Sequence, residues 1–335
     1  MAYQILGTGG LTVEDQLATF SKRLLRRFRA KPTFAQFAKK DGIPVNGGRG
    51  ISFRGLTSIY PAGLGGSAAA GSAPGALTEG TPGAAIDATW REVVVTVSQY
   101  GQFLQVTDVA ALQALDKVVP QYVEGFGESM NDAIDLVTRD ALIAGTNVQY
   151  ASIATTRGGA SGIGSGMNLT LAELREAKRT LLRNNVPGNS KANGKYVVAT
   201  SPEALFDLEA DSNITNFWQY AGERGMGNQL FDTMFQDLPM GFRLFITTNT
   251  RNFIDAGLST ADVHATLVFG EEWFGAVDYD ALPSEVIVKE RGSGGTSDPL
   301  NQLATVGWKA SWGARILNQA NGVRIEHATS TNTMG

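Results

Sequence analysis

The sequence predicts an α+β subunit whose longest elements project from a compact body, and three observations support this prediction. Residues 304–316 alternate between apolar and other side chains, which predicts a thirteen-residue strand with one buried face. Residues 116–144 carry apolar side chains every three or four positions, which predicts a long helix. Residues 61–85, between two strand-like runs, are mostly Gly, Ala, Ser and Pro, a composition that cannot build its own core.

Composition limits the class of protein. Hydrophobic residues make up 43% of the 335, which allows a sizeable core, whereas charged residues make up only 18%. Soluble domains usually have about 25% charged residues, so a largely neutral surface that packs against other chains is expected. The chain has no cysteine, which excludes disulfides, thiolate zinc sites and thiol nucleophiles. We find no secretory signal and no membrane span, and expect synthesis in a cytoplasm.

Charge is distributed unevenly along the chain. Residues 1–50 contain nine Lys or Arg and three Asp or Glu, a net charge of +6, on a chain whose total is −4. Most of the positive charge lies in "SKRLLRRFRAK", where apolar residues at helical spacing predict an amphipathic helix with a basic face. This face either is simply solvated or contacts a polyanion. Its basic residues are Lys22, Arg23, Arg26, Arg27, Arg29 and Lys31.

The first hundred residues are predicted to form an arm and a hairpin. Residues 1–50 form an arm with one helix, closed by the turn-rich "KKDGIPVNGGRG". The strand "ISFRGLTSIY" and the long strand "TWREVVVTVSQYGQFLQVT" then enclose the small-residue tip. Val93, Val95 and Val97 share one face of the second strand, and Gly101 is a candidate bend.

Helices and strands alternate after the hairpin without regular βαβ spacing, which favours an α+β chain. A second helix, "TLAELREAKRTLLRNN", has a capping box in Thr170 and Glu173. The helix "SPEALFDLEA" has Ser201 as its N-cap. "KYVVAT", "FRLFITTN", "HATLVFG" and "SEVIVKER" are predicted strands. The apolar stripe of the long helix consists of Val123, Phe126, Met130, Ile134, Val137 and Ala141.

Catalytic and cofactor motifs are missing from the sequence. His264 reads as a strand residue with a satisfied ring, and His327 as an exposed residue near a polar tail. No G-x-S-x-G elbow and no P-loop occurs, and the acidic pairs Glu271–Glu272 and Asp278–Asp280 lack the pattern of a calcium loop. We therefore predict no enzyme, no metal and no cofactor.

Several stretches, in this order, resemble the major capsid proteins of tailed bacteriophages, in particular the N4-like podovirus group. The stretches are "ALTEGTPGAA", "VSQYGQFLQVTD", "TRDALIAGTNVQYA", "YVVATSPEALFDL" and "SDPLNQLATVGWKASWGARILN", which together extend over most of residues 50–320.

The resemblance implies the fold of tailed-phage and herpesvirus major capsid proteins. Strand 304–316 would then pack beside a spine helix over 116–144, with Trp308 and Trp312 covering that helix. It would give the plate-like subunit a long, flat edge. The implied divisions are an N-terminal arm (1–50), an extended loop (51–107), a peripheral domain (108–189), an axial domain (about 190–285), and return strands of the peripheral domain with a C-terminal tail (286–335).

The implied function is mechanical. Hexamers and pentamers would form an icosahedral virion shell around double-stranded DNA, assembled in the bacterial host cytoplasm with scaffolding, portal and possible decoration proteins, and without a membrane. Arg54, Glu79 and Arg91 are candidate inter-subunit residues of the extended loop, and the basic arm is a candidate DNA-facing surface. An encapsulin-like nanocompartment and an enzyme with an unseen site remain alternatives.

Overall fold

The structure is a computed structural model, and it describes residues 34–58, 79–80, 89–108, 118–214, 235–238, 240–280, 282, 284–293 and 299–330. Within these ranges the helices are α1 (Phe34–Phe37), α2 (Val118–Ile143), α3 (Leu171–Arg183) and α4 (Pro202–Glu209). The strands are β1 (Lys39–Ile43), β2 (Gly50–Ser58), β3 (Thr89–Thr96), β4 (Ser98–Thr107), β5 (Val148–Tyr150), β6 (Tyr196–Thr200), β7 (Phe235–Leu238), β8 (Phe242–Ile246), β9 (Asn252–Phe253), β10 (Val263–Phe269), β11 (Phe274–Tyr279), β12 (Glu285–Lys289), β13 (Leu303–Ile316) and β14 (Gly322–His327).

Strand β13 is the longest strand described, as its period-two pattern predicts, but it is not an edge. It pairs with β4 from Leu303 to Trp312 on one side. On the other side it pairs first with β12 and then with β11. The expectation that β13 forms a long, flat edge of the subunit is therefore wrong, because β11 and β12 lie end to end along it and use its hydrogen-bonding groups. With β1 beside β11, these strands form a five-stranded sheet.

Helix α2 packs against β13. Trp308 and Trp312 are both buried. The Trp312 indole Nε1–H donates to Thr138 Oγ1 on the helix at 3.0 Å, and the Thr138 hydroxyl in turn donates to the Ile134 carbonyl. The predicted helix over 116–144 is confirmed to within two residues at each end. Its predicted apolar stripe is only half-buried, however, and the fully buried positions of the helix lie in its C-terminal half, at Asp135, Thr138 and Leu142.

A second sheet has seven strands in the order β5-β14-β10-β6-β8-β7, with β9 beside β10. Helices α3 and α4 cover one face of it, where Leu174, Ala177 and Leu181 form the buried stripe that the sequence predicts. Ser201 caps α4 as predicted, since its hydroxyl oxygen accepts from Ala204 N–H.

The predicted capping box at α3 is wrong. The Thr170 side chain makes no capping hydrogen bond. The carboxylate of Glu173 instead accepts from Ser152 N–H and the Gln149 amide, and the carboxylate of Asp211 accepts from Leu171 N–H. A carboxylate from a distant loop therefore satisfies the first helical N–H group.

Residues 34–43 belong to the body rather than to a projecting arm. Phe34 is 1% exposed, and Phe37 packs edge-on against both Phe245 and Phe269. The Phe34 N–H donates to the buried carboxylate of Asp135 on α2 at 2.8 Å. The predicted turn "KKDGI" is strand β1, which pairs in parallel with β11. Aromatic burial thus overrides the polar, turn-like composition of this segment.

The long second strand of the predicted hairpin is two strands. Strand β3 pairs with β2, whereas β4 leaves the hairpin and pairs with β13. The break lies at Val97, and Gly101 lies within the regular β4–β13 register rather than at a bend. Gly313 permits this branching, because a Cβ there would overlap the Thr96 carbonyl.

The two sheets do not follow the predicted domain divisions. Strand β14, expected with the peripheral return strands, is central in the seven-stranded sheet. Strand β5 and helix α3, expected in the peripheral domain, also pack with that sheet. Conversely, β11, which falls inside the expected axial range, pairs with β13. A shared aromatic core, which includes Phe34, Phe269, Trp273 and Phe274, joins the two sheets.

We predict that Phe34→Ala lowers the free energy of unfolding of the subunit by about 3–5 kcal/mol, because it leaves a cavity in the core that joins the sheets. Phe206→Ala on α4 is the matched control, because Phe206 is 59% exposed and its loss should change stability by about 0.5 kcal/mol or less. Denaturant unfolding of unassembled subunits measures both values. Equal effects would show that Phe34 contributes no more to stability than a surface residue does.

Candidate assembly surface

The fully buried apolar contacts of the β2–β3 hairpin lie at its base. There Val95 and Val97 are buried with Ile43 and Val277, as the shared valine face predicts. Farther along the hairpin, large apolar side chains such as Trp90 are exposed. An exposed hairpin with apolar side chains is suited to contact another chain.

Arg54 lies on the exposed surface of this hairpin. Its guanidinium is 3.7 Å from the carboxylate of Glu92, which also accepts from the Ser52 hydroxyl. The Arg54 and Glu92 side chains are both more than 45% exposed, so this ion pair adds little stability and leaves both groups accessible. Glu79, the third predicted loop residue with Arg54 and Arg91, is exposed as well.

Arg91 has an intramolecular role in the structure. Its guanidinium donates to the Asn318 side-chain oxygen at 3.0 Å and to the Leu317 carbonyl. Arg315 on β13 donates to the Val94 carbonyl, at a distance of 2.9 Å. Arg91 therefore fixes the outer half of β3 to the segment that follows β13, and Arg315 on β13 holds the part of β3 nearer its base. The sequence indicated a charged loop residue at Arg91 but gave no sign of this intramolecular contact.

A cleft of about 140 Å³ separates the hairpin base from the body. The Lys39 ammonium on β1 pairs with Glu272 across it at 2.6 Å. Arg54 and Arg91 also line the cleft. With Lys39 paired to Glu272 and Arg54 beside Glu92, the cleft is a polar contact surface.

The far end of the five-stranded sheet exposes apolar side chains on both faces. On the face that α2 partly covers, Leu104 and Val288 are exposed on either side of Val306, which is itself buried. On the opposite face, Phe103 lies across from Gly307 and is 72% exposed. This apolar end was not predicted, although the uncharged run "SQYGQFLQVT" is visible in the sequence.

The two histidines are cross-strand neighbours, which their separation of 63 positions in the sequence does not suggest. His264 on β10 lies directly opposite His327 on β14, and their rings stack with centroids 6.2 Å apart. The strand position predicted for His264 is confirmed, but the exposed position predicted for His327 is wrong, because its side chain is fully buried.

Hydrogen bonds determine the tautomer of His327, and burial keeps its ring neutral. Its Nδ1–H donates to the Ala328 carbonyl at 2.8 Å, and its Nε2 accepts from the Thr266 hydroxyl at 2.9 Å. Burial lowers the pKa of His327 to about 4, and it lowers the pKa of His264 as well. Both rings are therefore neutral at pH 7.

Other candidate chemistry is limited to structural contacts. The carboxylate of Glu271 accepts from Ser190 N–H and the Ser190 hydroxyl. Across the residues that the structure describes, no three His, Asp or Glu side chains group as metal ligands would. No helix in those ranges is long and apolar enough to cross a membrane. The predicted basic arm, Lys22 to Lys31, lies outside the described residues.

This chain path defines the fold as that of phage capsid subunits. The capsid chain of Ralstonia phage GP4 superposes with a TM-score of 0.70 over 100% of both chains, at 13% identity. The capsid chain of cyanophage Pam1 gives a TM-score of 0.69 over 98% of this chain and 100% of that one, at 14% identity. The capsid chain of cyanophage P-SCSP1u gives 0.66 over 97% of each, at 16% identity.

Residues 90–325 match the family model described as "Phage capsid protein". The chain belongs to this family, and it is a structural subunit of a phage head shell. No curated protein matches the sequence. The family assignment supports the capsid over the encapsulin-like alternative.

We predict that acid destabilises the subunit through His327. Its folded pKa of about 4 lies below the unfolded value of about 6.5, so the folded state binds fewer protons between these values. The contribution to stability is complete above pH 6.5 and is lost as the pH falls towards 4, on the order of 3 kcal/mol in total.

Denaturant unfolding at pH 7 and pH 4.5 measures this loss, and His327→Gln is the comparison because an amide can keep a contact with Thr266. The variant should lose less stability on acidification than the unmodified chain does. An equal loss in both chains would assign the acid sensitivity to other groups.

Proposed function

We propose that copies of this chain form hexamers and pentamers, and that these close into an icosahedral virion shell around double-stranded DNA. The observation that carries the proposal is the anchored β2–β3 hairpin, whose apolar side chains are exposed in the single subunit. Burial of such a surface against a neighbouring copy provides a driving force of about 25 cal/mol per Å². The role is mechanical and requires no catalytic residue.

Two regions of the subunit correspond to the peripheral and the axial position in such a capsomer. The five-stranded sheet with α2 is the proposed peripheral region, and the seven-stranded sheet with α3 and α4 is the proposed axial region. The aromatic core between them supports movement of the subunit as one plate during assembly. Scaffolding, portal and possible decoration proteins are the proposed further partners, in a bacterial host cytoplasm. Membership of the N4-like group stays a prediction.

Electron microscopy of particles purified after expression of this chain with its phage proteins tests the proposal. We expect closed shells with pentamers at their vertices and DNA inside. Small shells that enclose only protein would support the nanocompartment alternative. Soluble monomers with no shell under every assembly condition would contradict the proposal.

We predict that replacing Arg23, Arg26 and Arg27 with Gln reduces DNA retention in assembled heads. The +6 net charge of residues 1–50, on a chain that carries −10 elsewhere, supports a position of this segment near the phosphates. DNA content per particle after a salt challenge is the measurement. A matched control replaces Arg175, Arg179 and Arg183, which lie on helix α3. Equal DNA retention by the unmodified chain, the variant and the control would argue against a DNA-facing basic segment.

We predict that mature shells contain no covalent cross-links between subunits. Residues 51–107 include no lysine, and the chain has no cysteine, so neither a lysine isopeptide from this loop nor a disulfide can form. A guanidinium stays protonated and does not replace lysine as a nucleophile. Particles boiled in detergent should release a single band at or slightly below 35.6 kDa. A ladder of heavier bands would contradict this expectation.

A further inference from the structure

Within the part of the chain that the structure describes, no strand pairs with the outer edge of β4 between Gln99 and Gln105. Among the described residues β4 pairs only with β13, in an uninterrupted register from Ser98 to Thr107. Edge strands of soluble proteins usually carry charges, prolines or bulges that prevent pairing with other chains. The sequence "SQYGQFLQVT" contains no charged residue and no proline, and its register has no bulge. The run from Gln99 to Gln105 is therefore a template for another strand.

We propose that this edge pairs antiparallel with β4 of a second copy, across a two-fold axis of the shell. The inference rests on the proposed function, because a closed icosahedral shell contains two-fold axes that relate copies of the chain. A two-fold axis brings the same patch of both copies together. Two identical strands that meet in this way are antiparallel, so each completes the hydrogen-bonding pattern of the other.

The absence of charge favours pairing of this strand with a copy of itself. A charged residue near the centre of the strand would lie beside its own symmetry mate, and like charges opposite each other are destabilising. An uncharged strand avoids this repulsion. The pairing would extend the β12–β13–β4 part of the sheet continuously into the neighbouring subunit.

Side chains at the centre of the strand favour the same occupant. Phe103 lies next to the midpoint of β4 and is 72% exposed. The residue opposite it on β13 is Gly307, where a Cβ would lie 2.8 Å from the Phe103 Cβ. The ring therefore projects from the sheet without a bulky cross-strand neighbour in its own subunit. Two such rings, one on either side of the axis, would cover each other and remove apolar surface from water.

Single cysteines test the proposal directly, because the chain has none of its own. Paired antiparallel strands place opposite Cα atoms about 4.5–5.5 Å apart, within the range that a disulfide spans. In oxidised shells, Gln102→Cys should move most of the chain to twice its 35.6 kDa mass on a non-reducing gel. Gln99→Cys and Gln105→Cys should each stay monomeric alone and form dimers when the two variants are assembled together.

The matched control is Phe206→Cys, an exposed position on α4 that should give no dimer. Shells that form normally while none of the β4 cysteines cross-links would overturn the two-fold pairing and leave the proposed function intact. Equal cross-linking of Gln99→Cys alone and Gln102→Cys alone would also overturn it, because only central residues face themselves. Failure of the unmodified chain to form shells would instead contradict the proposed function.

A charge-complementation experiment gives an independent readout. Shells of Gln102→Glu alone, or of Gln102→Lys alone, should form in less than a tenth of the normal yield, since like charges meet at the axis. In an equal mixture of the two variants, the yield of shells should rise at least several-fold, because opposite charges then meet at many axes. Normal yields for both single variants would contradict the pairing. Normal circular dichroism of the unassembled variants separates an assembly defect from misfolding.

Discussion

The contact between α2 and β13 is the constraint on which the rest of the described structure depends. Strand β13 is the only strand to which β4, β11 and β12 all pair, so its position determines the positions of all three. Helix α2 covers one face of that strand, and the bond from Trp312 to Thr138 fixes the rotation of the helix about its axis. A buried indole N–H without a partner would be unfavourable, so this bond selects one orientation of two large elements.

A buried ion cluster connects this unit to the seven-stranded sheet. The carboxylate of Glu326 on β14 is fully buried and accepts two hydrogen bonds from Arg157, while Arg324 Nε lies 2.9 Å away. The Arg324 guanidinium also donates to the Ile143 carbonyl at the C-terminal end of α2 and to Gly145. Removal of one partner would leave a buried charge uncompensated, which typically costs several kcal/mol. The cluster therefore couples the helix end, β14 and the loop that carries Arg157.

Periodicity predicts those parts of the fold where one physical effect dominates. The strands at 196–200, 263–269 and 303–316 and the buried stripe of α3 follow from apolar spacing alone. The buried position of His327 does not follow from apolar spacing, because it depends on pairing with His264, which is distant in sequence. Asp135 was missed for a similar reason, since its acceptor role appears only when Phe34 reaches the helix. Likewise, the role of Arg91 follows from a contact with residues 317–318 that no local pattern records.

The base of the hairpin links two parts of the chain that were predicted as separate units, the N-terminal arm and the extended loop. Strand β1 passes through a short turn directly into β2, so the segment anchored by Phe34 and the hairpin are mechanically continuous. Ile43 of β1 packs in the same small core as Val95 and Val97 of the hairpin. A small core resists bending less than the large aromatic one, so a change in hairpin direction is most easily accommodated here. Such a change would strain the contacts of Arg91 and Arg315 before it disturbed the α2–β13 unit. The position of a neighbouring subunit can thus affect the hairpin base while the body of the plate keeps its shape.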